Sequence, residues 1–130
     1  MKKIDIACII DDDPIFVFGA KRMMELADFC NGFMVFQDGR KALDGLSAIV
    51  ASGNNLPELI LLDLNMPVMD GWQFLDEFTK IKTDKRITLY IVSSSIDNED
   101  FKKAETYEVV SNYIVKPITM DALKDILEDF

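Results

Sequence analysis

The sequence has no histidine, two cysteines, one tryptophan and four prolines in 130 residues. Without histidine the chain cannot build a Ser-His-Asp or Cys-His nucleophile system, a histidine-ligated zinc site or a phosphohistidine of its own. Two cysteines are too few for a four-thiolate metal site or a disulfide framework, which fits a reducing cytoplasm. Basic residues are also scarce. Fourteen Lys plus Arg against 23 Asp plus Glu leave a formal charge of −9. Direct nucleic-acid binding is not expected, because phosphate-backbone binders cluster Lys and Arg to displace counterions. No apolar run approaches the ~20 residues of a membrane span, so no membrane insertion is expected. The run after Lys2 and Lys3 meets Asp11, Asp12 and Asp13 too soon for a signal peptide. Hydrophobic and charged contents of 49% and 28% are those of a globular chain. What remains is one acidic domain over residues 1–130, with chemistry resting on carboxylates, hydroxyls and lysine.

Short apolar runs alternate five times with amphipathic stretches. The spacing predicts strands over 4–10, 33–36, 59–62, 87–92 and within 109–115. It predicts helices over 14–29, 39–51, 71–81, 98–107 and 119–130. Phe16, Ala20, Met23 and Ala27 mark the inner stripe of the first helix, with Asp13 as N-cap and Pro14 as first residue. Cys8 falls in an apolar run and Cys30 near the end of the first helix, both read as buried or half-buried thiols. Leu59-Ile60-Leu61-Leu62 is wholly apolar, as a strand covered on both faces should be. Five strand-helix repeats dictate an α/β fold: a parallel sheet, right-handed crossovers and helices on both faces.

In open parallel sheets ligands bind beyond the carboxyl ends of the strands. Just past the apolar runs stand Asp11 and Asp12, then Asp63, then Ser93, then Lys116, while the second run ends only in Gln37 and Asp38. Carboxylates gathered there repel one another. At an effective dielectric of 20, two charges ~4 Å apart cost about 4 kcal/mol. A proton or a cation must relieve that repulsion. Oxygen donors without His or Cys favour a hard ion, Mg²⁺ first and Mn²⁺ as the alternative.

Four stretches occupy these strand ends: Ile10-Asp11-Asp12-Asp13-Pro14, Leu62-Asp63-Leu64-Asn65-Met66-Pro67-Val68-Met69-Asp70-Gly71, Val92-Ser93-Ser94, and Tyr113-Ile114-Val115-Lys116-Pro117. Together with the intervals from Asp63 to Ser93 and to Lys116, they resemble a response-regulator receiver domain of the single-domain, chemotaxis-regulator type, over the whole chain. The resemblance implies a flavodoxin-like doubly wound sheet of order 2-1-3-4-5, with no output domain. It implies a phosphoacceptor switch of a two-component system. Asp63 would take a phosphoryl group from a phosphohistidine on a sensor histidine kinase or histidine phosphotransfer protein, forming an acyl phosphate. Mg²⁺ would be held by Asp12 directly, Asp11 through water, Asp63, and the backbone carbonyl of Asn65. Ser93 would donate to a phosphoryl oxygen and Lys116 supply fixed positive charge.

Further roles follow from the same resemblance. Tyr113 is the switch aromatic that turns inward when Ser93 engages the phosphoryl group. Asn65 and Ser95 tune how fast the acyl phosphate hydrolyses, and Lys116-Pro117 is a candidate cis peptide. The readout surface is built from the 98–107 helix, the fifth strand and the last helix, and the chain would act by binding a downstream protein the sequence does not identify or, as a phosphorelay, by passing the phosphoryl group to a histidine elsewhere. Such a protein assists its own phosphorylation and dephosphorylation and is not otherwise an enzyme. The chain departs from compact relatives in a longer interval between the acidic pair and Asp63, assigned to the second helix and the Ser52 to Pro57 loop. Its 98–107 helix is also charged and weakly amphipathic.

Three other readings compete. An aspartyl-nucleophile phosphatase of the haloacid-dehalogenase type needs a second aspartate two residues on, where Asn65 stands. A flavodoxin-like electron carrier needs a Ser/Thr/Gly phosphate loop after the first strand, where the aspartates stand. The chain is otherwise a stand-alone receiver or one excised from a larger hybrid kinase; Met1 and the stop after the last helix favour the former.

Overall fold

The computed structural model describes residues 4–83 and 85–130. Its elements run β1 Ile4–Ile10, α1 Pro14–Leu26, β2 Cys30–Phe36, α2 Gly39–Ala51, β3 Leu59–Leu62, α3 Gly71–Phe78, β4 Thr88–Ser93, α4 Asn98–Glu105, β5 Val110–Val115 and α5 Met120–Glu128. All strand pairs are parallel, in the order β2-β1-β3-β4-β5. This is the doubly wound architecture expected from the strand-helix alternation.

The two faces of the sheet follow from the two-residue period of the central strands. Cys8, Ile10, Ile60, Leu62, Leu89 and Ile91 point to one side, where they pack against Leu46 of α2, Phe74 and Leu75 of α3, and Ala104 of α4. Ala7, Ile9, Leu59, Leu61, Tyr90 and Val92 point to the other, against Ala20 and Met24 of α1 and Leu123 and Ile126 of α5. Cys8, on the first of these faces, is fully buried, and burial pushes its thiol up to about 12, so it is an inert packing group.

Each helix begins on a side-chain cap. Asp13, Asp38, Asp70, Asp97 and Thr119 each accept a hydrogen bond from a backbone N–H of the first turn, and Asp70 forms a capping box with Gln73. Asp13 is thereby a structural residue, as its place before Pro14 predicts.

Several boundaries differ from the sequence expectation. α1 stops at Leu26 rather than 29, with Ala27 as C-cap and Asp28 in the left-handed region at φ 50. Cys30 therefore does not end a helix; it opens β2, paired with Ile4. α3 and α4 are also shorter than the pattern suggests, and Ser93 is the last residue of β4 rather than the first of a loop.

α4 is the most loosely embedded helix, with Ala104 its only buried residue. Side chains tether it to α3 instead. The Trp72 indole stacks on Tyr107 with centroids 5.8 Å apart, Lys103 Nζ lies 4.8 Å from the indole centroid, and the Tyr107 hydroxyl donates to Asp76 at 2.6 Å. No helix among the described residues is long and apolar enough to cross a membrane.

Candidate functional site

Sheet hydrogen bonding continues one residue past the strand ends and fixes the backbone of the site. Asp11 N–H donates to the carbonyl of Phe36 at 3.0 Å, Asp63 N–H to Ile10 at 2.9 Å, and Lys116 N–H to Ser93 at 2.9 Å. Asp11, Asp63 and Lys116 are thus held on rigid sheet, not on loops. The register pairs Ile10 with Leu62 and Leu62 with Ile91, so Asp11 and Asp63 sit level and Ser93 lies one residue further along.

Asp11, Asp12 and Asp63 each offer a carboxylate oxygen, and the three lie within 4.8 Å of one another. Asp11 and Asp63 are buried at 2% and 6% exposure, while Asp12 faces solvent. Lys116 Nζ stands 2.8 Å from Asp11 Oδ2 and 3.8 Å from Asp63 Oδ1. Asp63 Oδ1 also accepts the N–H of Leu64 at 2.9 Å, and Asp11 Oδ1 that of Asp13 at 2.9 Å. Even so, burial and the neighbouring Asp11 charge push the Asp63 carboxyl up to about 6. Burial likewise raises the Asp11 carboxyl, opposed by Lys116 and the Asp13 N–H.

These groups suit a hard divalent cation. The donor set is all oxygen, and one lysine only partly compensates three carboxylates. Asp11 Oδ2 is buried with the Lys116 ammonium 2.8 Å away as its counter-charge, so one ammonium serves a cluster of three carboxylates.

Gly71 and Gly39 let the loop after Asp63 close on this site. A Cβ on Gly71 would stand 2.5 Å from the carbonyl oxygen of Asp63, and one on Gly39 2.6 Å from that of Met69. Only glycine permits these approaches. Between them Val68 holds φ 68, a left-handed conformation costly for a β-branched residue, at the exposed tip of the loop. Asn65 is exposed in the same loop.

Ser93 is fully buried, and its hydroxyl accepts the Ser95 N–H at 3.2 Å. Ser95 itself is tied to α4: its hydroxyl donates to Asp100 at 2.6 Å and accepts from Asp97 N–H at 3.3 Å. Tyr113 is half-buried, packs edge-on against Phe101 with centroids 4.5 Å apart, and donates its hydroxyl to the Ser95 carbonyl at 2.9 Å. Tyr113 and Ser93 therefore meet on the same short segment. The Lys116-Pro117 bond is cis. The structure thus gathers Asp11, Asp12, Asp63 and Lys116 into one cluster, with Ser93 at the adjoining strand end, Ser95 on the loop after it and Tyr113 on β5 behind.

Sequence reasoning did not anticipate two further contacts. The Phe16 ring lies against Lys116, and a groove of about 1040 Å³ leads from Asp11 and Asp12 along α1 and β2, past Phe18, Lys21, Val35 and Lys41. The only sequence signal for the groove is Phe18, a large apolar residue off the inner stripe of α1; it is exposed.

The response regulator receiver domain family matches residues 7–128. A two-component response regulator from Cytophaga hutchinsonii superposes over 99% of this chain and 100% of its own, with a TM-score of 0.86 at 30% identity. The probable methanogenesis regulatory protein FilR2 of Methanothrix harundinacea is 27% identical over 124 residues, covering 95% of this chain and 79% of that protein. The transcriptional regulatory protein PrrA of Mycobacterium tuberculosis is 27% identical over 115 residues, which is 88% of this chain and 45% of PrrA. The chain therefore spans less than half the length of that relative.

Proposed function

This chain belongs to the response regulator receiver domain family of two-component systems, and on that premise we propose that it is a switch driven by phosphoryl transfer to Asp63. Receiver domains are phosphorylated by histidine kinases, and the missing histidine is then the partner's contribution. The observation that carries the reading is a buried carboxylate, Asp63, flanked by two further carboxylates and an ammonium on rigid strand ends.

An Asp63 carboxylate oxygen attacks the phosphorus of a phosphohistidine on the donor. The new P–O bond forms as the P–N bond breaks, and the electron pair returns to the imidazole nitrogen. Asp11, Asp12, Asp63 and the Asn65 carbonyl would hold Mg²⁺, which when bound would supply positive charge facing the phosphoryl oxygens. Lys116 leaves Asp11 to meet one phosphoryl oxygen, and the Ser93 hydroxyl donates to another. Asn65 and Ser95, each two residues past a reacting group, set the lifetime of the acyl phosphate. The donor approaches along the groove beside α1, where exposed Phe18 offers apolar contact and Lys21, Arg22 and Lys41 offer charge.

When Ser93 turns to the phosphoryl group it releases the Ser95 N–H, and Tyr113 loosens its hold on the Ser95 carbonyl. α4, attached mostly through such side-chain contacts, then shifts, and the α4-β5-α5 face changes for a downstream protein. The shift is limited by the difference in Ser93 and Lys116 contacts between the two states.

Incubation with acetyl phosphate and Mg²⁺ is expected to add one phosphoryl mass to the intact protein. Hydroxylamine, which cleaves acyl phosphates, should remove it, and a chelator should prevent it. An adduct stable to hydroxylamine, or none at all, would overturn the reading. Turnover of a phosphomonoester would revive the phosphatase alternative.

A further inference from the structure

Lys116 has a third neighbour besides its two carboxylates: its Nζ lies 4.4 Å from the centroid of the Phe16 ring. Phe16 is the third residue of α1, in the first turn that Asp13 caps and Pro14 opens. The helical spacing puts it on the core-facing stripe, and it does pack against the core formed by Ala20, Met24 and their neighbours. It remains half-buried, however, with the ammonium over its ring.

We propose that Phe16 is a positioning residue for phosphoryl transfer, its ring holding the Lys116 ammonium beside Asp63 while the N–H donors stay available. The inference rests on the role assigned to Lys116 under the proposed function. An ammonium carries three N–H donors. A carboxylate that binds it takes up one or more of them, whereas an aromatic face attracts the cation through its quadrupole. Held by Asp11 alone, Lys116 would have to lose its only close partner before meeting the phosphoryl group. Held also by Phe16, it can exchange Asp11 for a phosphoryl oxygen without returning to solvent. Lysine sits on a flexible four-carbon stem, so such a seat matters more than it would for arginine. The core requires only an apolar residue here; the cation requires a ring.

The test compares initial rates of phosphorylation by acetyl phosphate, read by intact mass. Phe16→Leu, which keeps the apolar volume, should slow the reaction about three- to tenfold, the range of one partly desolvated cation–π contact. Phe16→Tyr should restore it. In a Lys116→Met background Phe16→Leu should add no further slowing, since the ring then has no cation to hold. A Phe16→Leu rate equal to wild type overturns the proposal, and so does equal slowing in both backgrounds, which would mark a merely structural role.

A second measurement does not depend on phosphorylation. The Lys116 side-chain methylene protons should show an upfield ring-current shift by NMR in the unmodified protein, present in Phe16→Tyr and lost in Phe16→Leu. Their appearance at ordinary lysine positions in the wild type would refute the seating outright. If the wild type takes no phosphoryl group, the proposed function fails, and this shift alone decides whether the ring holds the ammonium.

Discussion

Asp63→Asn should abolish the phosphoryl adduct and, in the same protein, raise its stability. The loss of the adduct follows because a neutral amide is a poor nucleophile toward phosphorus. The gain follows from linkage. Burial and Asp11 lift the folded carboxyl to about 6 from 3.8, so the folded state holds its proton more tightly than the unfolded state does. A group of this sign costs nothing below its unfolded value and costs most above its folded one. Stability is therefore lost as pH rises through about 6, by about 2–3 kcal/mol at 1.36 kcal/mol per unit. Asparagine carries no such charge, and its carbonyl can still accept the Leu64 N–H that Asp63 Oδ1 now accepts. Urea unfolding in a chelating buffer should find the variant about 2 kcal/mol more stable near neutral pH, the gap closing below about pH 4. Mg²⁺ should narrow it too, by stabilising only the wild type. A variant less stable than wild type at neutral pH would mean that Asp63 is not under the strain described.

Lys116→Met should lower the phosphorylation rate by about a hundredfold, the scale of removing one positioned charge-stabilising donor. Its effect on the cation should run the other way. Lys116 is the counter-charge of Asp11 Oδ2 and stands beside Asp63, so it competes with a divalent ion for both. Removing it should tighten Mg²⁺ binding, measurable by calorimetry, even as turnover collapses. Without Mg²⁺ the variant should be less stable, because a buried carboxylate has lost its partner. Added Mg²⁺ should restore most of that loss. Weaker Mg²⁺ binding in Lys116→Met would show that the lysine organises the carboxylates rather than competing for them.

The strand ends were legible because covered parallel strands are apolar throughout, so the first polar residue after each run marks the end. That rule found Asp11, Asp63, Ser93 and Lys116, and it set the end of β4 one residue early because a serine can close a strand as well as leave it. β2 was half missed. It is an edge strand, and Asn31-Gly32 at its start looks like a turn although Cys30 and Gly32 pair with Ile4 and Ile6 of β1. The end of α1 was misread for a related reason: the stop is made by Asp28 at positive φ, not by a glycine, so the pattern seemed to continue. The contacts of Phe16 with Lys116, Ser95 with Asp100 and Tyr107 with Asp76 join residues that no local period relates, and only the packed chain reveals them.

The tether between α3 and α4 also equips the protein with its own optical probe. Trp72 is the only tryptophan in the chain, and its indole touches Tyr107 and Lys103, one just beyond α4 and the other within it. An indole's emission depends on the phenol and ammonium beside it, so a displacement of α4 should register as a change in intrinsic fluorescence. No label is needed. Acetyl phosphate with Mg²⁺ should change the emission of the wild type and leave that of Asp63→Asn unaltered, giving a real-time trace of α4 leaving its resting position.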